Sequence, residues 1–80
     1  MKTMVTMEKI LLTSEKAIYK YFPEGGKDFG KVSYNRKNGK GSIDTMVPGF
    51  SDSYACHALS RIRDYEKEGK YLDKDMVAWY

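Results

Sequence analysis

The chain has 80 residues and a net charge of +3, with 41 % hydrophobic, 31 % charged and 14 % aromatic residues. That length holds one domain, 1–80, which on folding exposes about 4,900 Å² against about 13,300 Å² extended, so its core is thin. These limits argue against a multi-domain enzyme or a deep cofactor cleft. The lone cysteine, Cys56, excludes an internal disulfide, and no apolar run approaches the ~18 residues of a membrane span. The expected compartment is the cytoplasm, with no membrane partner.

Met1, Met4 and Met7 all read as potential starts, so residues 1–6 are expected to be a disordered leader. From residue 8 to residue 22 two periods compete. At period 3.6, Met7, Ile10, Leu11, Ile18, Tyr21 and Phe22 form a helical stripe, which Thr13-Ser14 interrupts. At period two, Ala17, Tyr19 and Tyr21 share one face, with Lys16, Ile18, Lys20 and Phe22 on the other. Ile, Tyr and Phe prefer strands, so two strands over 8–12 and 16–22 are expected.

Pro23-Glu24-Gly25-Gly26 is a turn. Residues 29–43 follow as a β-hairpin in which Val32 and Tyr34 alternate with Lys31, Ser33 and Asn35. Asn38-Gly39 is its turn, because both residues tolerate positive φ, and Lys40-Gly41 can lengthen it into a loop or bulge. Pro48-Gly49 marks the next break. Residues 51–68 predict an amphipathic helix, capped by Ser51 or Asp52 and stopped by Gly69. Its apolar arc is Tyr54, Ala55, Ala58, Leu59, Ile62 and Tyr65, opposite Arg63, Asp64, Lys67 and Glu68. The tail from Met76 to Tyr80 is apolar enough to require docking as a strand or extended segment. The expected fold is α+β: an antiparallel meander of about four strands, one helix on one face and a docked C-terminal segment.

Reactive constellations are few. Cys56 and His57 are neighbours, so on a helix their side chains diverge by about 100°, and there is no second histidine to serve as base. Cys56 reads as half-buried and slow to alkylate. One cysteine and one histidine cannot fill a metal's usual four-ligand shell, and Asp73 with Asp75 lacks the spacing of a calcium loop. The glycines at 25–30 and 39–41 lie between strands and do not match a phosphate-binding loop. Asp64 and Glu68 sit on the charged helix face beside Arg61 and Lys67. No catalytic residue, cofactor, metal or small-molecule ligand is inferred.

One feature stands out. Residues 27–50 carry five bases (Lys27, Lys31, Arg36, Lys37, Lys40) against Asp28 and Asp44. Seven of the eleven aromatic residues are tyrosine, a side chain suited to a half-wet surface. The expected interaction surface is therefore Tyr19, Tyr21, Lys31, Tyr34, Arg36, Lys37 and Lys40, a tyrosine and lysine face that the helix leaves bare. The segments 21–26, 29–34, 57–62 and 77–80 resemble small uncharacterised bacterial single-domain proteins, which implies a stand-alone domain and no mechanism. The reading is a non-catalytic module that binds another protein or itself through this face or a sheet edge. The alternative is nucleic-acid binding through the basic hairpin 31–42.

Overall fold

A computed structural model describes residues 3–79. Its order is β1 (Thr3–Leu12), β2 (Lys16–Pro23), β3 (Gly30–Asn35), β4 (Gly41–Thr45), α1 (Ser53–Glu68) and β5 (Lys74–Trp79). The five strands form one antiparallel sheet in the order β4-β3-β2-β1-β5. The helix packs on one face of it. The accessible surface, 5063 Å², is close to that expected for the chain length.

Residues 8–22 are two strands, as period two predicts. The first strand begins at Thr3, so residues 3–6 of the expected leader are strand, and residues 1 and 2 lie outside the described residues. Val5 and Met7 are buried, and β5 pairs with this stretch from Thr3↔Trp79 to Glu8↔Lys74. Burial and a second pairing partner, both supplied by the distant C-terminal segment, order these residues. The docked tail is thus a fifth strand; Tyr80 lies outside the described residues.

The β3–β4 connection is the longer of the two expected forms. Gly39 adopts φ 72° and donates its N–H to the Asn35 carbonyl at 2.8 Å, while Asn35 N–H donates to the Lys40 carbonyl at 2.8 Å. The Asn35 side-chain oxygen accepts the N–H groups of Lys37 and Asn38, so the loop satisfies its own backbone.

The helix starts at Ser53, two residues later than expected. Asp52 is the N-cap, yet its side chain makes no capping bond. Its backbone is right-handed helical (φ −69°, ψ −8°), not in the β region from which a cap side chain normally reaches back. Gly69 ends the helix at φ 74°, donating its N–H to the Tyr65 carbonyl. Ala55, Ala58, Ile62 and Tyr65 are buried, with Tyr54 and Leu59 half-buried beside them, which is the predicted arc. Ala55 and Ala58 present little bulk, so the helix lies close to the sheet.

The core is Val5, Met7, Ala17, Tyr19, Tyr21, Val32, Tyr34 and Val47 from the sheet side, against Ala55, Ala58, Ile62 and Tyr65 of the helix. Tyr19, Tyr21 and Tyr34 are 0 %, 1 % and 5 % exposed. The partition of side chains over 16–22 follows period two, but the tyrosine face lies under the helix and the Lys16, Ile18, Lys20, Phe22 face is bare. Burying a phenol costs unless its hydroxyl is bonded. Here Tyr19 donates to the Leu72 carbonyl at 2.5 Å, Tyr65 to Asp75 Oδ2 at 2.5 Å and Tyr21 to the Thr45 carbonyl at 3.3 Å. Two lysines on the other face have no such remedy beneath a helix, so that face takes the solvent.

Candidate binding surface

The expected surface does not hold together. Tyr19, Tyr21 and Tyr34 are core residues and present nothing to a partner. Arg36 is tied down: its Nε donates to Glu66 Oε1 at 2.7 Å, its Nη1 donates to the Thr13 carbonyl at 2.8 Å, and its guanidinium lies 5.0 Å from the centre of the Tyr71 ring. Tyr71 donates to the same Glu66 oxygen at 2.7 Å. These bonds hold the Glu66 carboxyl below its usual range, Arg36 contributing most. The cation that the basic hairpin most needed is a tie between two hairpins and the helix. Lys37 lies 3.7 Å from Glu15, an exposed and weak pair. Lys40 is exposed. Of the expected set, only Lys31 stands on the bare sheet face.

Cys56 is exposed, not half-buried. The His57 ring does not turn toward it but stacks on Trp79, with centroids 3.8 Å apart and planes at 19°. Tyr54 and Phe50 extend this aromatic group. Among the described residues, no group of three or more His, Cys, Asp or Glu side chains is placed to hold a metal ion. Among the same residues, no helix is long and apolar enough to cross a membrane.

The bare face is built by strand register. Cross-strand partners share a face, so Lys74↔Glu8↔Lys20↔Lys31 form one row across β5, β1, β2 and β3. At about 4.8 Å per strand the row is roughly 15 Å long. Met76↔Thr6↔Phe22 form the row beside it, and Leu11↔Ile18↔Ser33↔Ser42 the row on the other side. The face thus mixes apolar side chains with four lysines (Lys16, Lys20, Lys31, Lys74) against two carboxylates, Glu8 and Asp44. Asp44 is already engaged by the Ser33 and Ser42 hydroxyls.

Phe29 stands at the rim of this face, 41 % exposed. Its ring centroid is 5.6 Å from that of Phe22, and the Lys20 ammonium sits 4.5 Å over it. Beyond it an open groove of about 460 Å³ runs between Lys27–Phe29 and Thr45–Pro48. Sequence reasoning missed Lys20, Phe22 and Phe29. Lys20 and Phe22 stand on the bare face of the period-two pattern, but the polar hydroxyls of the tyrosines make the opposite face read as the wet side. Phe29 acquires its place only through packing against Phe22.

No known protein family, curated protein or solved structure matches this chain.

Proposed function

We propose that the chain is a non-catalytic binding module and that its working surface is the bare face of the sheet. One observation carries this reading: a single helix covers one side of a five-stranded sheet, and the other side keeps Phe29 and Met76 exposed and Ile18 and Phe22 half-buried, among lysines that form no ion pair among the described residues. Isolated apolar residues on a surface are ordinary, but several on one open face mark a contact site. The helix's outer side, with Arg63, Asp64, Lys67 and Glu68 all exposed, carries mixed charge and no apolar group.

A photoreactive side chain placed at Met76, on the bare face, or at Arg63, on the outer helix, tests this directly in the host cell. Higher-mass adducts from position 76 and few from position 63 are expected. Adducts from position 63 alone would overturn the proposal. Nuclease and protease digestion of the adducts then reports the partner's class.

A further inference from the structure

The charge arrangement on that face points to one class of partner. Lys20 and Lys31 are directly opposed across β2 and β3, and like charges so placed destabilise a sheet. Neither is within ion-pair distance of a carboxylate among the described residues. The register therefore sets two lysines side by side, with Glu8 across from Lys20 on its other side and the Lys20 ammonium over the Phe29 ring, and an external anion would offset the remaining repulsion. Lys74 and Lys16 extend the positive field along the same face, and only Glu8 offsets it without being bonded to neighbouring hydroxyls. A second copy of the chain would bring the same excess of lysine and is disfavoured. Beside the lysine pair stand two phenylalanine rings, one at the rim and accessible.

We infer that the bare face binds single-stranded nucleic acid, with backbone phosphates on Lys20 and Lys31 and an unpaired base stacked at the Phe22–Phe29 pair. This rests on the bare face being the working surface. Cations that track a phosphate backbone, with aromatic rings on which bases stack, are the general means of gripping a single strand. A duplex keeps its base faces covered and leaves the phenylalanine pair without a partner. The basic hairpin tip is not the contact, because Arg36 is committed to Glu66 and Thr13.

The test is fluorescence anisotropy with labelled oligothymidine and oligouridine of about twelve nucleotides, a length within the range that known single-strand-binding domains cover. The double variant Lys20→Ala/Lys31→Ala should weaken binding at least tenfold at low salt. It should also reduce the slope of log affinity against log salt by about 1.4, the share of two phosphate contacts on a single strand. Phe29→Ala should weaken binding by about fivefold or more. Phe29→Leu, which keeps an apolar group without a flat ring, should lose nearly as much and guards against a folding defect. Lys67→Ala/Lys70→Ala, on the helix side, should leave affinity unchanged. No binding at tens of micromolar in low salt would overturn the inference, as would equal losses from the helix-side variant. A glutamate-rich peptide that binds as tightly as the oligonucleotide through the same two lysines would also overturn it, while leaving the bare face as the working surface.

Discussion

Raising the pH should unfold this protein through its tyrosines. Tyr19 is fully buried, and its phenol is pushed up to about 12 by loss of water and then by the nearby Asp73 and Asp75 charges. Tyr65, 3 % exposed, is raised further, first by burial and then by its bond to Asp75. In the unfolded chain both ionise near the ordinary tyrosine value of about 10. Above that pH the unfolded state holds fewer protons than the folded one, so stability falls as pH rises. The stabilisation is fully present below about pH 10 and is lost as pH climbs toward the folded values. At about pH 11 each of the two groups contributes a loss of about 1.4 kcal/mol, together about 2.8 kcal/mol. For a domain of this size that lowers Tm by roughly 10–20 °C. The assay is a series of thermal melts by circular dichroism from about pH 8 to about pH 11.5, with tyrosinate absorbance followed in parallel. Tyr71, raised by burial and by its bond to Glu66, adds a comparable share, so Tyr19→Phe and Tyr65→Phe should each flatten the alkaline decline by about a third while lowering Tm near neutrality through the lost hydrogen bond. A Tm that stays level to about pH 11, or an unchanged slope in both variants, would refute the reasoning.

The remaining predictions concern close packing, the arginine tie and the thiol. A Cβ at Gly30 would overlap the Thr45 carbonyl oxygen and the Tyr21 ring, whereas one at Gly41 would press on the Leu59 side chain, its nearest methyl at 2.8 Å. Gly30→Ala should cost about 1–3 kcal/mol in urea unfolding, and Gly41→Ala clearly less because Leu59 can turn aside. Arg36→Lys should lower Tm nearly as much as Arg36→Ala, since an ammonium cannot reproduce the guanidinium's two directed bonds to Glu66 and Thr13. Equal Tm values for Arg36→Lys and the parent would contradict this. Cys56, being exposed, should be alkylated fully in native buffer at a rate insensitive to low urea; a rate that rises with urea would mean the thiol is sheltered.

The elements were largely legible because each is set by local pattern: alternation over 16–22 and 31–35, helical period over 54–65, glycine at 69. Which face of β2 turned inward was not. Tyrosine is compatible with core or surface, and the choice depends on whether its hydroxyl finds an acceptor. For Tyr19 and Tyr21 those acceptors are the Leu72 and Thr45 carbonyls, 53 and 24 residues away, and no local rule locates them. The better local signal was the opposite face, where Lys16 and Lys20 could not be covered by a helix. The first strand was read short for a related reason, since its leading half is ordered by pairing with residues 74–79. Arg36 looked like a free cation because Glu66 and Thr13 approach it only in three dimensions. The aromatic pair at Phe22 and Phe29 was invisible for the same reason.

The seam between Thr3–Glu8 and Lys74–Trp79 also governs how the molecule assembles. It joins the two most distant described segments, so its closure carries the largest entropic penalty in the chain. During synthesis Val5 and Met7 wait with a single neighbouring strand until residues 74–79 leave the ribosome. Completion of the sheet therefore waits on residues 74–79, and until they pair β1 lies at the margin of a four-stranded sheet.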